Sequence, residues 1–278
     1  MAAQVALVTG ASSGIGEAAA RRLRDAGFTV YAAARRVDRM AGLREAGVHT
    51  MSLDITDAAS AQAAVAQILA EQGRIDVLVN NAGYGSYGAL EDVPLSEAQA
   101  QLDVNVLGLA RMTQLVLPQL RAQRSGTIIN IASMGGNFTT PLGAWYHASK
   151  YAVEALSDAM RMELAPFGID VVVIEPGSIR TEWGAIAAAA VLETSGDGPY
   201  RTQAEQVATS LGRTSAPGAR MTSSPEVVAR AIVTAATARR PRARYRIGFG
   251  AKPLVLAHRI LPARVFDRLI RRGMGVTG

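Results

Sequence analysis

The chain has 278 residues, of which 49% are hydrophobic and 19% charged, and its formal net charge is +6. This balance excludes a disordered chain and supplies enough apolar residues for a large core. The absence of cysteine excludes disulfides and a cysteine nucleophile, and the three histidines are scattered, so we expect no metal site. We also expect a cytoplasmic protein, because the sequence opens without a basic, cleavable leader and contains no apolar stretch approaching roughly 18 residues.

Short β-branched and apolar runs alternate with helix-length segments along most of the chain. We predict strands at 5–9, 29–34, 48–53, 77–79, 127–132 and 170–174, with a last one near Tyr245. Runs that are apolar almost throughout are typical of strands buried on both faces of a parallel sheet. The pattern predicts one doubly wound α/β domain of the Rossmann type over residues 1–250, with a mostly parallel seven-stranded sheet flanked by helices.

Two predicted helices carry start signals. The run Ser96-Glu97-Ala98-Gln99 is typical of a capping box, in which Ser and a residue three positions later satisfy free backbone N–H groups. The run Ser224-Pro225-Glu226 places Ser at the N-cap and Pro at the first helical position.

Two segments depart from the strand–helix alternation. Residues 178–224 are too long for an ordinary connection, and we interpret them as a flap over a substrate, with Trp183 near its start; the alternative is a surface excursion. Residues 251–278 form a basic extension, predicted to contain two short amphipathic helices around 254–256 and 265–270. We expect the extension to pack on the sheet and pocket. Contact with a membrane surface is the second alternative, and an anionic partner such as nucleic acid is the least favoured.

A glycine-rich turn follows the first predicted strand and opens a helix. It reads Thr9-Gly10-Ala11-Ser12-Ser13-Gly14-Ile15-Gly16. Glycines let the backbone approach a pyrophosphate, and a helix N-terminus offers free N–H groups to it. At the first βα junction, the turn predicts a dinucleotide site at Gly10, Ser12, Ser13, Gly14, Ile15 and Gly16.

The second predicted strand ends in Arg35 and Arg36, where an acidic residue would favour NAD. A guanidinium attracts a 2′-phosphate and can form two hydrogen bonds with it, so the pair indicates NADP, with NAD less favoured. The alternative is two solvated arginines at a strand end.

Tyr146 and Lys150 are four residues apart, which places both side chains on one face of a helix. A nearby cation favours the phenolate and lowers the phenol pKa from about 10, making Tyr146 a usable proton donor or acceptor. Taken alone, such a pair is more often a surface Tyr beside a solvated Lys.

Together with Asn80-Asn81-Ala82-Gly83, Asn105, Ser133 and Pro176-Gly177, these motifs resemble the short-chain dehydrogenases/reductases in order and spacing, strongly over residues 5–174. By that resemblance, Tyr146 exchanges a proton with the substrate oxygen and Ser133 hydrogen-bonds that oxygen. Lys150 lowers the Tyr146 pKa and holds the nicotinamide ribose, and Asn105 positions a water. The resemblance further implies cofactor contacts at Asp54, Ile55, Asn81, Ala82, Gly83, Pro176, Gly177 and Thr181.

The same resemblance places an apolar and aromatic set beside the substrate, comprising Tyr84, Met134, Gly135, Gly136, Asn137, Trp145 and Trp183. A hydrophobic ketone, aldehyde or alcohol fits such a pocket. We interpret His147 as structural and assign Glu175 no role. Relatives pair the helices corresponding to 96–121 and 143–167, which implies a homodimer or homotetramer.

The expected function is that of an NADP(H)-dependent oxidoreductase interconverting a carbonyl and an alcohol. The alternative is a non-catalytic NADP-binding regulator or scaffold, which has no chemical need for Ser133, Tyr146 and Lys150 together.

Overall fold

A computed structural model describes residues 3–216 and 218–276, and in this part of the chain seven strands form one sheet. They are β1 (Val5–Thr9), β2 (Thr29–Ala34), β3 (His49–Ser52), β4 (Val77–Asn80), β5 (Gly126–Ile131), β6 (Ile169–Pro176) and β7 (Arg244–Ile247). Their order is β3-β2-β1-β4-β5-β6-β7, and all six pairings are parallel. The predicted doubly wound sheet is confirmed.

Helices cover both faces of this sheet. They are α1 (Gly14–Asp25), α2 (Ala41–Glu45), α3 (Ala58–Gln72), α4 (Leu95–Leu102), α5 (Leu109–Gln123), α6 (Ala144–Leu164), α7 (Trp183–Ser195), α8 (Arg201–Ser215), α9 (Pro225–Thr237), α10 (Ala251–Ile260) and α11 (Ala263–Gly273). A wider helical turn, Asp103–Gly108, joins α4 to α5. Buried residues of α1 and α9 pack on one face of the sheet, and those of α3 and α5 pack on the other.

The central strand β1 shows why the sequence folds into two layers. All five of its side chains are buried. Because successive side chains of a strand point to opposite faces, Val5 and Leu7 join the core on the α3 side, while Ala6 and Val8 join the core on the α1 side. An apolar strand of this kind is stable only between two helical layers.

The predicted capping box at Ser96 is wrong. Helix α4 begins one residue earlier, with Pro94 at the N-cap and without a side-chain cap, so Ser96 already lies in the first turn. Gln99, the predicted partner of Ser96, donates to Asp103 at 2.7 Å instead of folding back on the helix start, and Glu97 accepts from the hydroxyl of Tyr84 at 3.1 Å. The other start is confirmed, because the Ser224 hydroxyl accepts from the Glu226 N–H at 3.3 Å, with Pro225 first in α9.

The segment predicted as a flap contains two well-formed helices, α7 and α8, that pack against each other. A Cβ at Gly184 would collide with Thr214, so glycine is needed for this close approach. The α7 helix is tied to the loop after β4, since the Ser195 hydroxyl accepts from the Ala89 N–H at 2.9 Å and donates to Asp92 at 2.6 Å. Pro217 of the flap lies outside the described residues.

The basic extension forms the two predicted amphipathic helices, α10 and α11, which pack on the body of the protein. Val255, Phe266 and Ile270 share a buried cluster with Phe138, whose ring centroid lies 5.3 Å from that of Phe266. Residues 277–278 lie outside the described part of the chain. Among the described residues, no helix is both long and apolar enough to cross a membrane.

A buried ion-pair network attaches the edge strand β7 to α6 and β6. Glu175 is fully buried, and its carboxylate accepts from Arg246 at 2.5 Å. Arg244 donates to Glu154 at 3.0 Å and to Asp158 at 2.6 Å, and lies 3.3 Å from Glu175. Burial, followed by the nearby Glu175 carboxylate, raises the pKa of Glu154 to about 7. Glu175 therefore has a structural role that its sequence context did not indicate.

Replacing Arg244 with Met should destabilise the protein, since Glu154 and Glu175 would lose the cation between them. Removing one partner of a buried pair costs about 3–5 kcal/mol, and we expect about 3 kcal/mol in urea unfolding at about pH 8. The pKa of Glu154 is already raised in the folded state, so protonation relieves the unpaired charge. The loss should therefore be smaller at about pH 6 than at about pH 8.

Arg161→Met is the matched control, because its pair with Asp158 is on the surface, with 37% and 40% of the two side chains exposed. That change should cost less than about 1 kcal/mol at either pH. A pH-independent loss in Arg244→Met, or equal losses in the two variants, would contradict the assigned network.

Candidate active site

Most of the predicted site residues lie at the carboxyl edge of the sheet. The glycine-rich turn follows β1, Asn81 follows β4, Ser133 follows β5 and Gly177 follows β6. In a doubly wound sheet this edge is where ligands bind. The topology alone therefore brings together residues that are up to 167 positions apart in sequence, counting from Gly10 to Gly177.

The glycine-rich turn is held close to the loop after β4. A Cβ at Gly10, where φ is +65°, would lie 2.7 Å from Ala82 Cα, and one at Gly16 would lie 2.5 Å from Asn81 Nδ2. The Thr9 hydroxyl accepts from the N–H groups of Asn81 and Ala82 at 3.0 and 3.1 Å. Thr9 therefore orients the turn. We did not single it out as a site residue, although it opens the glycine motif.

The N-terminus of α1 is available for an anion. Ser13 is the N-cap residue, has extended backbone and makes no side-chain cap, so within residues 3–216 and 218–276 the first-turn N–H groups have no side-chain acceptor. A Cβ at Gly14 would lie 3.1 Å from Thr181 Cγ2, so the loop after β6 approaches this turn through the Thr181 methyl group. The Thr181 hydroxyl accepts from the Trp183 N–H at 3.3 Å. Glycine backbone and uncapped N–H groups together fit the diphosphate of a dinucleotide.

The charges at the end of β2 fit the adenosine end of such a ligand. Arg35 and Arg36 are exposed, and neither is in a salt bridge within residues 3–216 and 218–276. Asp54 follows β3, and hydrogen bonds from Thr56 lower its pKa, so it is ionised and can accept from an amine. By contrast, Arg39 pairs with Glu182 at the start of the flap, at 2.5 Å. The two exposed guanidinium groups therefore remain available.

Helix α6 carries the central pair of the site. Tyr146 and Lys150 are both buried, with 8% and 9% of their surface exposed, and lie one turn apart. Lys150 Nζ donates to the carbonyl of Ile131 at the end of β5, at 3.0 Å. Ser133 lies two residues beyond that carbonyl, with its hydroxyl accepting from the Gly135 N–H at 3.0 Å. The helical spacing predicted from sequence is confirmed.

Burial sets the protonation of both groups in the cofactor-free protein. It raises the pKa of Tyr146 to about 12, while a hydrogen bond with Ser133 acts in the opposite direction. Burial also lowers the pKa of Lys150 to about 8, and the charge of Glu154 partly offsets this. Burial therefore favours the neutral phenol in the protein alone, and the prediction that Lys150, with help from the charge of the oxidised cofactor, brings the phenol pKa near neutrality stays a prediction.

Asn105 is a connector in the wide helical turn between α4 and α5. Its Nδ2 donates to the carbonyl of Tyr84 at 2.9 Å and to the Ser149 hydroxyl at 3.0 Å, and its Oδ1 accepts from the Tyr84 N–H at 3.0 Å. A Cβ at Gly83 would be 3.0 Å from Asn105 Oδ1 and 3.7 Å from Lys150 Nζ. Asn105 thus lies near Lys150 and fixes the loop that follows β4, while its role in positioning a water stays a prediction.

An aromatic cluster covers Tyr146. Ring centroids of Trp183 and Tyr87 lie 5.0 and 5.6 Å from that of Tyr146, and 5.9 Å from each other. A Cβ at Gly85 would collide with the Trp183 ring, so glycine makes room for it. Trp183 begins α7. The segment predicted as a flap therefore packs directly against Tyr146.

Four of the seven residues predicted to face the substrate have large aromatic or apolar side chains, and the structure places these four in different locations. Trp183 contacts Tyr146, and Met134 packs against the Phe138 cluster immediately after Ser133. Tyr84 and Trp145 make no ring contact with this cluster in the described residues. The Tyr84 hydroxyl donates to Glu97 on α4, and the indole N–H of Trp145 is buried without a partner among the residues that the structure describes. Tyr87 packs against the Tyr146 ring, where Tyr84 and Trp145 were expected.

His147 has a structural role, as interpreted from the sequence. Its Nε2 accepts from the Thr140 N–H at 3.0 Å and its Nδ1 lies 2.9 Å from the Gly135 carbonyl, so a neutral ring protonated at Nδ1 satisfies both. Burial lowers its pKa, which keeps the ring neutral. The histidine therefore fixes the loop between β5 and α6 on which Ser133 lies.

Comparison with known proteins agrees with this geometry. The family model described as short chain dehydrogenase matches residues 4–190. A 3-ketodihydrosphingosine reductase of Bacteroides thetaiotaomicron is 42% identical over 181 residues, which are 65% of this chain and 66% of that protein. An NADPH-dependent 3-dehydrocapnine reductase of Ornithobacterium rhinotracheale is 34% identical over 280 residues, which are 97% of this chain and 96% of that protein.

Among solved structures, a short-chain dehydrogenase from Streptomyces avermitilis superposes with a TM-score of 0.82 at 32% identity, with 100% of both chains covered. The sheet order, the uncapped α1 turn and the buried Tyr146–Lys150 pair thus occur in a chain that matches this family along most of its length. The protein belongs to the short-chain dehydrogenases/reductases, enzymes that act between CH–OH groups and carbonyls with NAD(P).

Proposed function

We propose that this protein is an NADP(H)-dependent oxidoreductase that interconverts a carbonyl and an alcohol on a hydrophobic substrate. The observation that carries the proposal is the burial of Tyr146 and Lys150 one turn apart on α6, next to Ser133. The uncapped N-terminus of α1 lies at the same edge of the sheet. A proton donor and a dinucleotide-binding turn at one edge are what carbonyl reduction requires.

In the reducing direction, NADPH supplies a hydride to the carbonyl carbon when it is bound. Tyr146 gives its proton to the carbonyl oxygen, so the product is the alcohol. Ser133 donates a hydrogen bond to that oxygen and stabilises the negative charge that develops on it. Lys150 would hold the ribose hydroxyls of the cofactor, and its ammonium would favour the phenolate that remains on Tyr146.

The free protein favours Tyr146 as an acid. Burial keeps the phenol protonated, with a pKa of about 12. Lowering that pKa for the reverse reaction needs additional positive charge beside the phenol, which the oxidised cofactor would bring. Because the flap helix α7 closes over the ring through Trp183, water is excluded while the proton moves.

The choice of NADP over NAD rests on Arg35 and Arg36. Both are exposed at the end of β2, and no acidic residue occupies that end. The relative from Ornithobacterium rhinotracheale is itself named as NADPH-dependent. A 2′-phosphate placed there would receive charge-assisted hydrogen bonds that NAD cannot make.

The substrate class follows from the cover over Tyr146. Tyr87, Trp183 and buried flap residues such as Val191 and Val207 form one apolar cluster with Tyr146. A carbonyl attached to an apolar body fits this cluster better than a small charged metabolite. The relative from Bacteroides thetaiotaomicron is named for a keto derivative of dihydrosphingosine, which agrees with this choice.

We also propose that copies of this chain pair through the long helices, in a homodimer or homotetramer. Large apolar side chains are exposed on these helices or just before them: Leu95 at the start of α4 at 75%, Leu107 in the wide turn before α5 at 49%, and Met162 on α6 at 67%. Exposed apolar residues of this kind are typical of an interface. The expected cytoplasmic location stays a prediction.

Tyr146→Phe should lose turnover by roughly 100- to 10,000-fold, because general acid catalysis contributes that much, and should retain its affinity for NADPH. NADPH oxidation with a panel of apolar ketones measures the first quantity and fluorescence titration the second. Tyr87→Phe is the control, because it removes a neighbouring buried hydroxyl that has no assigned proton transfer. Full activity in Tyr146→Phe would exclude the proton-transfer role. Tight NADPH binding by the native protein without turnover on any ketone would favour the scaffold alternative.

Arg35→Ser and Arg36→Ser should each weaken NADPH binding by roughly 10- to 100-fold, since a hydrogen bond to a charged group contributes about 1.5–3 kcal/mol. NADH binding should change little. Arg39→Ser is the control, because Glu182 already neutralises Arg39, and it should affect the preference less. Equal losses for NADH and NADPH would mean that the two arginines hold the loop and do not read the 2′-phosphate.

Leu107→Glu combined with Met162→Glu should shift the native mass in light scattering towards the monomer, because the two charges would be buried in the proposed interface. Met221→Glu, at a residue that is 68% exposed and away from these helices, is the control. An unchanged mass in the double variant would place the interface elsewhere.

A further inference from the structure

The two C-terminal helices leave a row of apolar side chains in solvent. Leu256 and Ile260 on α10 are 58% and 69% exposed, and Val265 and Leu269 on α11 are 40% and 44% exposed. On each helix the two residues are four apart and so lie on one face. These four residues are named the apolar ridges. Large apolar side chains grouped on a surface reduce solubility unless something covers them.

The helices that carry the ridges are firmly held. Their other faces are used in the Phe138 cluster, where Val255, Phe266 and Ile270 are buried. The His258 ring lies 4.9 Å from that of Phe266. The ridges are therefore an outward face of packed helices, fixed in place by the opposite face.

Unpaired cations border the apolar ridges. Residues 251–276 contain six basic side chains and one acidic one, Asp267. Within the described part of the chain none of the six forms a salt bridge; they are Lys252, Arg259, Arg264, Arg268, Arg271 and Arg272. On α11, Arg268 and Arg272 lie one and three positions from Leu269, so their charged ends can lie beside it while their stems extend along it.

Three occupants could cover such a face, and its chemistry distinguishes them. A second copy related by a two-fold axis would bring six unpaired cations against the same six, which is repulsive. Nucleic acid would use the cations and would gain nothing from the ridges. An anionic lipid bilayer uses both, because headgroups attract the cations while the apolar side chains enter the interface.

The face is also connected to the active site by direct packing. Met134, which follows Ser133, packs against the Phe138 cluster that anchors α10 and α11. Just beyond α11, Val276 and Met274 pack in the cluster of Tyr146 and Trp183. The segment that follows the ridge helices therefore forms part of the wall around the phenol.

We propose that α10 and α11 dock this protein on anionic bilayers, with the apolar ridges in the interface and the flanking arginines at the phosphates. Docking would bring the pocket wall close to the bilayer, from which an apolar substrate could enter. The delivery of substrate rests on the proposed function, whereas the docking does not. The structure thus assigns the basic extension a second role beside its packing on the body.

Flotation of the full chain with vesicles tests the proposal without any turnover measurement, so its failure is separate from a failure of the proposed function. The protein should float with vesicles of phosphatidylcholine and phosphatidylglycerol and should not float with phosphatidylcholine alone. Arg264→Gln with Arg268→Gln should reduce the partition coefficient about thirtyfold, since each basic residue near an anionic surface contributes about 1 kcal/mol. Ile260→Gln with Leu269→Gln should reduce it at least about tenfold.

Matched controls replace equally accessible residues away from the extension. Leu90→Gln with Leu192→Gln matches the ridge variant, because these side chains are 65% and 44% exposed. Arg213→Gln with Arg230→Gln matches the charge variant. Both controls should float like the native protein, and melting curves should show that all four variants are folded.

Three results would overturn the proposal. The first is the absence of flotation with anionic vesicles. The second is flotation that depends on the arginines and not on the ridges, which would mean simple adsorption to charge. The third is a ridge variant that loses self-association in light scattering while the native protein ignores vesicles, which would assign the face to a second copy.

Discussion

The chemistry of this protein depends on the burial of a phenol and an ammonium at one edge of a parallel sheet. Tyr146 and Lys150 are held by a helix whose start packs under the flap and whose continuation packs on β6. Removed from water, both groups favour their neutral forms, so the pKa of the phenol rises and that of the ammonium falls. Tyr146 therefore gives up its proton only when negative charge develops on a substrate oxygen or positive charge is added beside the phenol.

The surrounding structure serves this constraint. Strand β5 delivers the Ile131 carbonyl to the Lys150 ammonium and places Ser133 just beyond it. The flap contributes Trp183, which seals the phenol, and Gly85 and Gly184 are needed because the flap approaches the body and folds on itself closely. Glu154 lies one turn beyond Lys150 on α6, and its negative charge partly offsets the lowering of the Lys150 pKa by burial. Arg244 in turn makes that buried carboxylate tolerable.

Sequence periodicity and motif spacing were enough for the sheet, the glycine-rich turn and the helical Tyr146–Lys150 pair. These depend on local backbone chemistry and on a strand pattern that repeats along the chain.

The features that could not be predicted from the sequence depend on partners that are distant in the chain. Glu175 and Arg246 are 71 residues apart, and only the pairing of β6 with β7 brings them together. The predicted start of α4 was wrong because the backbone of Pro94 caps the helix in place of the Ser96 side chain.

The substrate-facing residues were only partly predictable for a similar reason. Tyr84 and Tyr87 lie in the same irregular loop, where no periodicity indicates direction, and a glycine-rich loop can turn either side chain inward. Glu97 draws the Tyr84 hydroxyl to α4, so Tyr87 packs on Tyr146 instead. The protonation of Tyr146 in the cofactor-free protein was not predictable for a different reason. Spacing shows that a cation is near a phenol, and it does not show how deeply both are buried.

The ionisation of Tyr146 itself is the most direct test of this account. The Cζ resonance of this tyrosine, observed by 13C NMR in labelled protein and assigned by its absence in Tyr146→Phe, reports its protonation state. Without cofactor the resonance should titrate near pH 12, above the ordinary value of about 10 for a tyrosine, and saturating NADP+ should move its midpoint down. A midpoint below about 10 in the cofactor-free protein would contradict the account, because burial would then not control the phenol.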